Sequence, residues 1–470
     1  MTMRINFILS CTAAAIACAP SMPSPVSLPA NQIASRYRAD ADRIIAAALR
    51  DSTAYRRVGV LADKFGSRFS GTPQLELAID WILAAMREDG LDNVHSEPVM
   101  VPRWIRGEES LQLVSPRPLR LRMLGLGSSI GTPAAGITAP VLVVSSFDDL
   151  KSRAAVARGK IVLYDVPFTT YGQTVQYRTR GASEAARVGA VASLVRTVGP
   201  ESIQSPHTGN MRYDTTTNRI PAAAISVEDA MMLHRFQNTG EQIVVTLRMG
   251  ATTGPDAQSR NVVAELRGSE RPEEVVVVSG HIDSWDVGQG TMDDAGGAFA
   301  AWEAVRLIKQ LGLKPRRTLR VVMWTNEENG ARGAAAYRDA HRAEVGKHVL
   351  AIESDGGTFN PVGFGVNGTT QTVTAAQMIS PLLTPIGAGK VNAEPDADTD
   401  IAPLVALGVP GMGLRVDGTR YFWYHHSEAD TFDKLNAVEV SKCVAALAIM
   451  SYVVADMPDA LPRGDSTKAR

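Results

Sequence analysis

The chain has 470 residues, 45% hydrophobic and 21% charged, with a formal net charge of −1. Such a composition belongs to a globular protein with a substantial core, and the length points to roughly two to four units rather than one. The balanced charge excludes a basic footprint for nucleic acid and an acidic tail.

The N-terminal residues read as an export signal: Arg4, an apolar run over 5–17, then Cys18, Ala19 and Pro20. The run is too short to span a membrane. Residues 15–18, AIAC, also resemble a bacterial lipobox with Ala15 where Leu is usual, which would put a lipid on Cys18. Cleavage and lipidation both stay open. Either makes the protein secreted or periplasmic, and the second anchors it to a membrane. Cys11 and Cys18 lie in this segment, so its removal or lipidation leaves Cys443 as a free thiol without an intrachain disulfide. Cys443 falls in an apolar helical pattern and is expected to be buried and inert.

Residues 19–32, rich in Pro, Ser and Ala, read as a linker, and a helical pattern covers 33–49. FGSRFSG at 65–71 reads as a loop, after which Pro73 opens a helix with Leu75, Ile79, Ile82 and Met86 on one face. Between 111 and 250 short apolar runs read as strands (141–144, 160–164, 190–195, 222–226 and 242–247), separated only by short helical patterns. This block carries no cluster of His, Asp and Glu. His207, between Pro206 and Thr208, is expected to be a solvated loop histidine. From about 260 the texture becomes strand, helix, strand. Apolar runs at 262–266 and 275–279 precede a helix with Phe299, Trp302, Val305 and Ile308 on one side, ended by Gly312 and Pro315; further runs follow at 319–324, 349–352 and 408–414. That order predicts an α/β sheet with helices on both faces, whose functional residues gather at the C-terminal ends of strands. The expected division is 1–20 signal, 21–110 N-terminal part of the catalytic domain, 111–255 inserted domain and 256–465 main catalytic domain.

Five polar clusters fall at those strand ends, at a helix start or in loops. GHIDSWD at 280–286 follows a strand run; His281 is a metal-ligand type, and Asp283 lies two residues on, on the same side of an extended chain. GTMDDAGG at 290–297 opens the long helix. Asp293 or Asp294 would serve there as an N-cap with or without metal, while a carboxylate can also span two ions. NEENG at 326–330 holds Glu327 and Glu328, able to divide labour between metal and water. ESDGG at 353–357 holds Asp355, and YHHSEADT at 424–431 holds a His-His pair in a chain with only 8 His. Each alone has an ordinary reading, the second as a helix N-cap and the others as polar loops. Five together, each placed where sites form, point to a metal centre.

The set resembles the co-catalytic zinc aminopeptidase and glutamate carboxypeptidase superfamily, and within it the carboxypeptidase Q-like members. GHIDSWDVGQGTMDDAGGAFAAWEA carries most of the likeness, with TNEENG, ESDGGTF, GVPG, HHSEADT and the FGSRFSG loop in support. The resemblance implies a zinc-exopeptidase (phosphorylase/hydrolase-like) mixed α/β sheet flanked by helices, with an inserted β-rich protease-associated-type domain that covers the cleft or joins two subunits as a homodimer. It implies two Zn2+ per chain: one on His281 and Asp355, the other on Glu328 and His426, with Asp293 bridging. His426 is preferred to His425 because the superfamily's ligand directly precedes Ser or Thr in a His-Ser/Thr-x-x-Asp-Thr pattern. Glu327 would be the general base, Asp283 the partner of His281, and Asp400 a substrate-side or supporting acid. The implied substrate is a dipeptide or short peptide with free ends. Two rival readings on the same fold are a glutaminyl-cyclase-like acyltransferase, which uses one zinc, and a non-catalytic binding homologue that has lost ligands.

Overall fold

A computed structural model describes residues 30–200 and 203–464. The export signal, Cys18 and most of the expected linker lie outside the described residues.

The main sheet is mixed and has eight strands: β1 (Asp92–Ile105), β2 (Thr252–Leu266), β3 (Arg271–His281), β4 (Arg317–Trp324), β5 (His348–Glu353), β6 (Pro361–Asn367), β7 (Lys390–Ala393) and β8 (Gly411–Val416). Their spatial order is β1-β2-β4-β3-β5-β8-β6-β7. Strands β4, β3, β5 and β8 run parallel to their neighbours in the centre, while β2 meets β4 and β6 meets β8 antiparallel. The central strands carry apolar runs, such as Val275–Val278 and Val321–Trp324, because both faces are covered. Val276 and Val278 of β3 face one core cluster, and Val275 and Val277 face another.

The first core holds α1 (Ala30–Ala48), α2 (Thr53–Phe65), α3 (Pro73–Glu88), α4 (Gly296–Gln310) and α5 (Ala437–Asp456). Each contributes the residues its periodicity marks: Leu75, Ile79, Ile82 and Met86 from α3; Phe299, Trp302, Val305 and Ile308 from α4. Among the described residues α5 is the helix long and apolar enough to cross a membrane, yet most of it is buried within the protein. Cys443 on α5 is fully buried, donates to the Phe359 carbonyl at 3.2 Å, and has its thiol pushed up by burial.

A second eight-stranded sheet is built between β1 and β2, from Glu109–Ser115 through Val244–Met249. Its inner strands Ile137–Val144, Ile161–Tyr164, Ala192–Arg196 and Ala222–Ile225 are mutually parallel. Parallel neighbours need crossovers, and the chain makes them partly with helices. The longest helix of this unit, Val227–Asn238, packs Ala230 and Leu233 onto the sheet. The sequence pattern had suggested only short helical pieces here. The unit is tied to the main sheet by β1 and β2, which pair antiparallel from Asp92↔Glu265 to Ile105↔Thr252.

Candidate active site

Three of the polar clusters leave the sheet at the C-terminal ends of adjacent parallel strands. His281 ends β3, Glu327 and Glu328 follow β4, and Asp355 follows β5. The register of three buried strands therefore sets their spacing, as parallel α/β sheets do for their sites. Asp293 comes from the turn before α4, and His426 from the loop after the short helix Tyr421–Tyr424.

The geometry centres on Asp293. Its Oδ1 lies 3.2 Å from His281 Nε2, and its Oδ2 lies 3.3 Å from His426 Nε2. Asp355 Oδ1 lies 3.4 Å from His281 Nε2. Glu328 Oε2 approaches His426 Nε2 to 3.0 Å, outside hydrogen-bond geometry. His425 stacks on His426 with ring centroids 3.5 Å apart, and its Nε2 is 3.8 Å from Asp293 Oδ2. His281 with Asp293 and Asp355, and Asp293 with His425 and His426, are two groupings close enough to hold a cation each. A narrow recess opens on the Asp293, Glu328 and His426 side, lined also by Trp285, Val287, Gly290, Ser427 and Asp430.

His281 Nδ1 meets the backbone carbonyl of Asp283 at 2.9 Å. The proton is thereby held on Nδ1, leaving Nε2 toward the acids. The Asp283 carboxylate, 3.8 Å from the ring, instead accepts from the Ser70 hydroxyl at 3.2 Å and the Glu327 backbone N–H at 3.1 Å. Asp283 thus holds His281 through its main chain and the Glu327 segment through its side chain. Glu327 itself is only partly buried, at the edge of the cluster.

Several buried groups brace this frame. The Asp430 carboxylate accepts from the N–H and hydroxyl of Thr291 and the N–H groups of Met292 and Asp293, at 2.8–3.1 Å. Asp294 accepts from Gly297 N–H at 3.2 Å and from His281 N–H at 3.1 Å. It therefore caps α4 and leaves Asp293 free for the cluster. Arg68, fully buried in the FGSRFSG loop, donates to the carbonyls of Gly66, Ile282, Gln289 and Gly290, sewing the His281 and Asp293 loops together. Asp400 is buried, with its backbone N–H on Glu353 and both carboxylate oxygens unpartnered. Asp430 and Arg68 lie inside the HHSEADT and FGSRFSG motifs, but the work of each depends on partners that only the fold brings near.

His207 is a correction. It is about as buried as any side chain in the molecule, 1% exposed, because the second unit folds its 206–208 segment against the His426 loop. Burial, followed by the neighbouring His426, pulls its imidazole down to about 3.

The donor set fits divalent cations. Asp293 Oδ2, both oxygens of Glu328 and Asp355 Oδ1 are buried without a hydrogen-bond partner, a costly state unless something positive compensates them. Burial and neighbouring acids push Glu328 up to about 8 and Asp355 up to about 7. His426 is pulled down by burial, but Glu328 and Asp293 outweigh that and push it up to about 10. So many carboxylates crowded around two imidazoles are the chemistry of an N/O metal site.

Comparison with known proteins agrees. The family model of Peptidase family M28 matches residues 261–450. Carboxypeptidase Q from Mus musculus is 50% identical over 409 residues, 87% of this chain and 87% of its own length. The Homo sapiens protein of that name is 50% identical over 87% of this chain and 86% of its length. The crystal structure of a Peptidase M28 precursor from Shewanella amazonensis superposes with a TM-score of 0.88 at 34% identity, covering 91% of this chain and 98% of that one. A zinc aminopeptidase from Bacillus subtilis shares the fold at a TM-score of 0.65 and 20% identity, over 88% of this chain and 97% of its own. These relatives show the class of protein, a metallo-exopeptidase. The chain belongs to peptidase family M28, among its carboxypeptidase Q-like members.

Proposed function

We propose that the protein is a dinuclear zinc exopeptidase that hydrolyses dipeptides and other short peptides with free ends. One observation carries the two-metal reading: the two oxygens of Asp293 face different histidines, 3.2 Å from His281 and 3.3 Å from His426. A carboxylate so disposed suits ions about 3.5–4 Å apart. In this reading His281 and Asp355 hold one zinc, Glu328 and His426 the other, and Asp293 bridges. When bound, the pair supplies a water acidic enough to ionise near neutral pH and positive charge against the developing oxyanion. Glu327 accepts the proton of the attacking water and returns it to the departing amine. Its partly exposed place at the edge of the cluster favours that task, and the bond from its N–H to Asp283 holds its backbone. Asp283 is thus a positioning residue for both His281 and Glu327. The substrate class rests on similarity to carboxypeptidase Q. The reading extends to export through residues 1–20.

The test is the zinc content of the purified protein, paired with hydrolysis of a dipeptide panel, with free and blocked ends, before and after chelation. About two zinc ions per chain are expected, with activity lost to chelator, restored by zinc, and dependent on a free terminus. One zinc or none, with no dipeptide cleaved, sinks the proposal.

A further inference from the structure

We infer that the unit inserted between β1 and β2 is a working part of the metal centre: it holds the His426 loop in the conformation that presents the imidazole, with Arg178 as the positioning residue. The inference rests on the proposed role of His426 as a zinc ligand.

The loop needs holding. His426 has a φ of 61°, in the left-handed region that a residue with a Cβ rarely adopts. Such a conformation persists only where its surroundings over-determine it. Here the surroundings come from the other unit. Thr208 N–H donates to the His426 carbonyl at 2.8 Å, and His207 forms an antiparallel bridge with Ser427. The bond and the bridge are one contact, and it ties the backbone that leaves His426 to the insert.

The Thr208 segment is itself gripped by Arg178, beside the ring. His426 turns Nε2 toward Asp293 and Glu328, and its Nδ1 lies 3.4 Å from Arg178 Nη1. The same Nη1 donates to the Thr208 carbonyl at 3.2 Å, and Nη2 donates to the Tyr171 hydroxyl at 2.6 Å. Arg178 is 5% exposed, so its rigid fork has few other placements. Gly209, at φ 134°, lies directly beneath the guanidinium, where a Cβ would collide with it. Tyr171 stacks on Phe422 with centroids 5.0 Å apart and meets His425 edge-on at 5.2 Å. A zinc-bound His426 keeps its proton on Nδ1, and a guanidinium cannot accept it, so Arg178 acts through the Thr208 backbone that holds the His426 carbonyl, and not on the ring or the substrate.

Zinc titration of the metal-free full chain against a competing chelator tests this, on wild type, R178A and R178Q, which removes the charge and the long fork but keeps a donor. Folding is checked by thermal melting, and dipeptide kinetics are followed at limiting and excess zinc. Wild type is expected to take two zinc ions. In the variants the first should bind as in wild type and the second roughly 10–100-fold more weakly, the usual cost of removing a partner that orients a ligand. Turnover should fall at limiting zinc and recover with excess, with KM nearly unchanged. Two wild-type affinities in either folded variant overturn the inference and leave the dinuclear reading intact. A wild-type chain that takes fewer than two zinc ions overturns the dinuclear reading and this inference with it.

Discussion

Removing the Asp430 carboxylate tests whether the Asp293 turn is held in the way its hydrogen bonds suggest. Oδ1 accepts three bonds, from Thr291 N–H, the Thr291 hydroxyl and Met292 N–H, and Oδ2 accepts one, from Asp293 N–H. Asp430→Asn keeps an oxygen for the three and sets an amide NH2 against the Asp293 N–H. One buried donor is then unpaired, at a cost of about 1–3 kcal/mol. Asp430→Ala unpairs three N–H groups and a hydroxyl. At about 1 kcal/mol or more each, the loss comes to about 4 kcal/mol, even where water offsets part of it. The measurement is urea unfolding of the metal-free proteins near neutral pH, above the value of about 6 to which burial lifts this carboxyl. The midpoint should fall for Asn and further for Ala, with similar slopes. An Ala variant within about 1 kcal/mol of wild type would show that these four groups find other partners, and the clamp would be an illusion of the static geometry.

Glu327→Gln should keep wild-type zinc content and stability while turnover falls by roughly 10²–10⁴, because an amide cannot accept the proton; a folded, zinc-loaded variant with normal turnover would remove Glu327 from its role. His348, at the opposite end of β5 from Asp355, supplies a pH test away from the candidate site. It is buried, its Nε2 accepts from the Tyr337 hydroxyl at 2.9 Å and its Nδ1 donates to the Glu344 carbonyl at 3.2 Å, and burial pulls it down to about 4 from an ordinary 6.5. The unfolded chain therefore binds this proton first, so the contribution is present above pH 6.5 and lost as pH falls from about 6.5 to about 4, by about 3 kcal/mol in all. His348→Gln should flatten the stability–pH curve of the metal-free protein over that interval by a similar amount; parallel curves for the two proteins would count against it.

What could be read from the sequence follows from how local each signal is. Buried parallel strands must be apolar on both faces, so Val275–Val278 and Leu319–Trp324 stand out as runs, and the polar residues that follow them have only the strand ends to occupy. The choice between Asp293 and Asp294 as cap was not local. Asp294 takes it because its carboxylate also reaches His281 N–H, a bond set by the approach of β3 to α4. The helix Val227–Asn238 was missed because only its Val227, Asp229, Ala230 and Leu233 are buried, too thin a stripe to show a clear period.

His207 shows the limit most plainly. Flanked by Pro206 and Thr208, it has the neighbours of a solvent loop, and nothing within ten residues says otherwise. It is buried because β1 and β2 carry the inserted sheet back over the His426 loop, pairing His207 with Ser427. Arg178 is as illegible, since the His426 loop it supports is 248 residues away. A metal ligand's own motif records what the metal needs. The residues that hold the ligand in a conformation it would not adopt alone are recorded elsewhere in the chain, and only the fold shows that they are neighbours.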